Sequence, residues 1–134
     1  MSDGLQRWRR LVIAAAALVA LAVGGAVLAK VGAPDPRVRE IRLVVRDMTY
    51  YVAQDGNANP TLRLVRGEKV RLVLTNDDPG YSHNLIAPVL GLSTPLLPQG
   101  RSQTVEFTVP DVAGVYTYKC GPHSEMMRGN IAIE

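Results

Sequence analysis

Among 134 residues there is one cysteine, two histidines, one tryptophan and one phenylalanine. The single cysteine, Cys120, excludes an intramolecular disulfide. Two histidines and one cysteine fall short of the four strong ligands that structural zinc takes. Charge of one sign is also scarce where a core would form. The formal charge is +3, but Arg7, Arg9, Arg10, Lys30 and Arg37 against Asp3 and Asp35 account for the whole excess. From Val38 onward, ten Lys and Arg face ten Asp and Glu. No basic stripe with interleaved aromatics is present, so a nucleic-acid partner is not expected. Beyond residue 30 there is no helical periodicity over three turns, no internal repeat and no low-complexity segment.

What is present begins with an apolar run. Arg7, Arg9 and Arg10 precede nineteen uncharged residues, Leu11 to Ala29. As a helix these rise roughly 28 Å, about the thickness of the hydrocarbon core of a bilayer. The arginines would stay in the cytoplasm, and everything after Lys30 would lie outside, with Trp8 at the interface. Residues 1–30 therefore read as a membrane anchor or a signal peptide, cut after "ALA" (20–22) or "VLA" (27–29). The length of the run, beyond the ~7–15 residues of a typical signal core, favours the anchor. No cysteine stands directly after the run, which excludes a lipoprotein anchor. Either reading exports the domain, to the periplasm or the outer face of the cytoplasmic membrane.

Residues 31–37 form a linker, because Gly32, Pro34 and Pro36 prevent regular structure. Residues 38–134 then show short runs of strand type. Ile41, Leu43 and Val45 alternate with Arg42 and Arg46 in 39–47. Val70, Leu72 and Leu74 alternate with Arg71 and Thr75 in the second half of 61–76. Val105, Phe107 and Val109 alternate with Thr104, Glu106 and Thr108 in 102–110. "GVYTYKC" (114–120) and "GNIAIE" (129–134) complete the set. The turn-rich stretches "QDGNANP", "NDDPG", "PQG" and "PDVAG" separate them, with Asp77 and Asp78 reading as turn residues. Such spacing indicates an all-β sandwich or barrel. "APVLGLSTPLLPQG" (87–100) is apolar yet rich in Pro and Gly, and reads as a loop that packs on the core or offers a contact surface. The tyrosines 50, 51, 116 and 118 read as strand and core aromatics.

The scarce soft residues are concentrated near the end of the chain. Cys120, His123, Met126 and Met127 fall within eight residues, and the other histidine is His83. Taken singly, a cysteine is most often a packing residue and a histidine most often not a ligand. Taken together, two imidazoles, one thiolate and a weak thioether match a copper site that holds both Cu(I) and Cu(II). Calcium or magnesium would want oxygen ligands.

These residues stand in a context that resembles the cupredoxins, the blue-copper family of plastocyanin, azurin and amicyanin. "RGEKVRLVLTNDD" is similar to the strand pair leading to the first ligand. "SHNL" resembles the His-Asn pair of the plastocyanin-like branch. "AGVYTYKCGPHSEMMRGNIAIE" resembles the final Tyr-x-Tyr-x-Cys strand, the ligand loop and the closing strand. The resemblance covers residues 38–134 and implies a Greek-key β-sandwich preceded by the N-terminal hydrophobic helix. It implies one mononuclear copper held by His83, Cys120, His123 and an axial methionine. The basic-Gly pair after Met127 resembles the azurin pattern and favours Met127, with Met126 the alternative by amicyanin-like spacing. Asn84 would hold the ligand loop by bonding the backbone near Cys120.

The function so implied is one-electron transfer between transient protein partners, by a monomer. Electrons would pass at the edge of His123 inside an apolar patch, for which Pro122, Met126 and parts of 88–98 are candidates. The alternative is a copper-binding module for delivery or storage. A binuclear copper centre would need a second cysteine, and a multicopper oxidase many more histidines. A Cys-His nucleophilic pair would need an organised base and orienting group. The chain is therefore not expected to be an enzyme.

Overall fold

The structure, a computed structural model, describes residues 35–53 and 55–134. The expected N-terminal helix and most of the expected linker lie outside the described residues. Among the described residues no helix is long and apolar enough to cross a membrane.

Among the described residues nine strands follow in order: β1 (Val38–Arg46), β2 (Thr49–Val52), β3 (Leu62–Leu64), β4 (Lys69–Asn76), β5 (Ile86–Ala87), β6 (Leu92–Ser93), β7 (Ser102–Thr108), β8 (Gly114–Lys119) and β9 (Arg128–Ile133). They form two sheets, β2-β1-β4-β7 and β3-β9-β8-β5-β6. The neighbours are largely out of chain order, because the connections β2–β3, β3–β4, β4–β5, β6–β7 and β7–β8 cross from one sheet to the other. The expected all-β, two-sheet sandwich is what the chain forms.

Alternation drives the pairing. β1 and β4 run parallel, with Ile41 opposite Leu72 and Leu43 opposite Leu74. Their apolar faces coincide, and Ile41, Leu43, Val45, Val70, Leu72 and Leu74 are all buried. A register slip by one residue would turn this whole set to solvent. From the other sheet come Leu62, Leu64, Tyr118, Ile131 and Ile133. Tyr50 and Tyr118 bridge the layers edge to face, with ring centroids 5.4 Å apart. Each ring hides a hydroxyl that still finds an acceptor: Tyr50 donates to the Asn84 carbonyl and Tyr118 to the Pro60 carbonyl at 2.8 Å. Burial pushes both phenols above their ordinary range.

Three sequence expectations need correction. β2 is absent from the runs that alternation marks, although Tyr50 and Tyr51 read as strand and core aromatics, because "TYYV" lacks alternation and follows a two-residue turn without glycine. That turn places Asp47 (φ 50°) and Met48 (φ 54°) in the left-handed region, the conformation of a type I′ hairpin. Within 87–100, the loop is framed by the short pair β5–β6, joined by a 3-10 turn at Pro88–Leu90. Val105 and Phe107 are half-buried instead of inside, because β7 is an edge strand with a single neighbour, whereas Val109 is fully covered.

Candidate metal centre

β4 and β8 both end at one pole of the sandwich, and the loops that follow them carry the rare residues. After β4 the chain reaches His83, whose backbone exchanges hydrogen bonds with Leu97, N–H to O at 3.0 Å and O from N–H at 2.7 Å. Leu97 belongs to the apolar 87–100 segment. Part of that segment is thus core (Leu90, Leu97) and clamps the first histidine, while Leu96 is exposed.

The loop after β8 closes on itself. Lys119 pairs with Arg128 as the last rung of β8–β9. Inside that rung the Cys120 N–H donates to the Met127 carbonyl at 2.9 Å, and the Met127 N–H to the His123 carbonyl at 2.9 Å. Cys120 and Met127 are fully buried, His123 is half-buried, and Met126 is 57% exposed.

Three side chains from these loops converge. Cys120 Sγ lies 3.8 Å from His83 Nδ1 and 3.6 Å from His123 Nδ1, and the two nitrogens are 3.2 Å apart. The point equidistant from all three is roughly 2 Å from each, close to a metal–imidazole bond of ~2.0–2.1 Å and little short of a metal–thiolate bond of ~2.3 Å. The donor set therefore fits a soft or borderline metal ion in a near-trigonal array. Among the described residues this is the group of His, Cys, Asp and Glu side chains that could hold a metal.

The surroundings fix the donors. Asn84 Oδ1 accepts the Gly121 N–H at 2.8 Å, linking the two loops one residue beyond Cys120. His83 Nε2 lies 3.0 Å from Asp78 Oδ2, and the same oxygen accepts the Met48 N–H at 2.9 Å. Burial holds the His83 imidazole below its ordinary pKa, against the opposing pull of Asp78. Asp78 is a site neighbour that sequence reasoning assigned to a turn. A carboxylate five residues before a candidate ligand is a weak signal, and the "NDDPG" context masked it. Around His123 the surface carries Tyr81, whose ring meets the imidazole edge to face at 6.0 Å, together with Met126.

The arrangement is that of a mononuclear copper protein of the cupredoxin class. Residues 58–134 match the family described as copper binding proteins, plastocyanin/azurin family, and the chain belongs to that family. Such proteins bind copper, and the His83–Cys120–His123 cluster could hold one ion. Solved structures agree in fold. A copper binding protein determined in its apo form by NMR is 26% identical, with a TM-score of 0.56 over 76% of this chain and 93% of that one. Rusticyanin from Thiobacillus ferrooxidans is 21% identical (TM-score 0.55, 75% of this chain, 79% of that one). Auracyanin from Roseiflexus castenholzii is 18% identical (TM-score 0.57, 73% and 97%). No curated protein matches the chain.

Proposed function

We propose that this chain is an exported type 1 copper protein that carries single electrons between redox partners. The observation that carries the reading is the convergence of one thiolate and two imidazole nitrogens on a point roughly 2 Å from each. Copper bound there supplies one-electron chemistry between Cu(I) and Cu(II).

The residues of the chain do the rest. Cys120, His83 and His123 would hold the copper, with Met127 as a fourth, weaker donor. Met127 suits that role because it is wholly buried and hydrogen-bonded through its backbone to both Cys120 and His123. Met126 points to solvent. Three donors so constrained need little rearrangement when the charge of the site changes. His83 is sealed from water, whereas His123 is half-buried beside exposed Tyr81 and Met126. That side is the contact surface for a transient partner. Export and membrane attachment rest on the Arg cluster and apolar run of residues 1–30.

The test is a visible spectrum of the full chain loaded with Cu(II). An intense band, bleached by a reductant, restored by an oxidant and absent in Cys120→Ser, supports the carrier. A colourless chain that binds Cu(I) tightly would replace it with copper delivery or storage.

A further inference from the structure

Asp78 is 4% exposed, yet among the described residues no Lys or Arg pairs with it. Its Oδ2 accepts the Met48 backbone N–H and lies within hydrogen-bond distance of His83 Nε2. The segment bearing it is pinned as well, since the Asp78 N–H donates to Asn76 Oδ1 at 2.9 Å. Asn76 Nδ2 in turn donates to the carbonyls of Tyr81 and Leu97 at 2.9 and 2.8 Å. The Met48 N–H that completes the grip comes from a hairpin position (φ 54°) where glycine would ordinarily sit. The hairpin, Asp78 and His83 therefore form one hydrogen-bonded chain running from the surface turn to the metal centre.

A neutral imidazole has one N–H, and the bond it makes decides which nitrogen is free to bind a metal. With Nε2–H directed at Asp78, the Nδ1 lone pair faces Cys120 and His123. The carboxylate also leaves a negative charge, with no cation beside it, on the far side of the ring.

We propose that Asp78 is the positioning residue of the metal centre: its carboxylate holds His83 in the Nε2–H form, aims Nδ1 at Cys120 and His123, and biases the site toward the more positive metal state. The proposal rests on the copper reading above, and its test separates the two. In the metal-free full chain, nitrogen NMR of the imidazoles reports the tautomer without any metal. The expected result is His83 protonated at Nε2. Protonation at Nδ1 would overturn the positioning role whatever the protein carries. Asp78→Asn keeps an acceptor for both N–H groups and removes the charge, so it is the variant least prone to misfold. In the copper-loaded form it should keep the Cys-dependent visible band and shift the Cu(I)/Cu(II) partition at least tenfold toward Cu(I). For a one-electron couple that is a rise in midpoint potential of roughly 59 mV. A normal band with an unchanged potential would overturn the charge role. A wild-type chain with no Cys-dependent band would overturn the copper reading, and the tautomer would still decide the positioning role of Asp78.

Discussion

Asn84 Oδ1 accepts the backbone N–H of Gly121 at 2.8 Å, and this bond ties the His83 loop to the Cys120 loop. Neighbouring contacts brace it from behind. The Asn84 carbonyl accepts the Tyr50 hydroxyl, and Leu85 N–H donates to Thr94 Oγ1 at 2.9 Å. Asn84→Ala removes the acceptor of the Gly121 N–H and should cost about 0.5–1.5 kcal/mol in the metal-free protein. Denaturant midpoints of the two proteins give that number. The same variant should release copper faster, because the two loops that supply the donors are then free to separate. Equal stability and equal release rates would show that the bond does not hold the loops.

The tyrosine pair predicts alkaline behaviour. Tyr50 and Tyr118 both have raised folded-state pKa values, with burial as the leading cause. In the unfolded chain each ionises near pH 10, at about the ordinary tyrosine value. Below that pH both states are protonated and stability is at its full value. Above it the unfolded state loses protons that the folded state keeps, so stability falls as pH rises, by up to about 1.4 kcal/mol per pH unit per tyrosine. Tyr118→Phe should lower stability at pH 8 by about 0.5–1.5 kcal/mol for the lost bond to Pro60, and should roughly halve the slope between pH 10 and 12. Urea titrations across that range test it. A slope unchanged by the substitution would place the sensitivity elsewhere.

Gly129 records a close approach. A Cβ built there would lie 2.5 Å from Tyr118 Cζ and 2.7 Å from Cε1. Tyr118 stands opposite Gly129 in the β8–β9 ladder, and its ring crosses the space a side chain would fill. Gly129→Ala should therefore destabilise by about 1–3 kcal/mol through overpacking. In a Tyr118→Leu background the same change should cost far less, which a double-mutant cycle measures. Additive effects would contradict the steric account.

How much of this was legible beforehand depends on what each feature needs. β1 and β4 carry their burial in strict alternation, so Ile41, Leu43, Val45, Val70, Leu72 and Leu74 could be read directly. His83, Cys120 and His123 stood out through rarity, since every histidine and the lone cysteine lie in the cluster. β2 could not be read, because four residues hold no period and the turn before it uses Asp47 and Met48 where Asn-Gly would signal a hairpin. β5 and β6, two residues each, owe their existence to neighbours in the sheet. Asp78 was hidden for a different reason. Its burial arises from Met48, thirty residues away, and from the side chain of His83. No local pattern encodes such a meeting.

The two methionines give the sharpest discrimination within the site. Met127 is fully buried with its backbone bonded to Cys120 and His123, whereas Met126 is 57% exposed. Leucine conserves most of the volume of methionine and removes the sulfur, so Met127→Leu should fold with a penalty below about 1.5 kcal/mol. A weak axial thioether tunes the potential of a blue site without creating its colour. Met127→Leu should thus keep the visible band and raise the midpoint potential, because the cupric state loses a donor. Met126→Leu should leave band and potential unchanged, while altering electron exchange with any partner that docks beside His123. Voltammetry of the two variants decides the assignment: a potential shift in Met126→Leu and none in Met127→Leu would exchange the roles of the two residues.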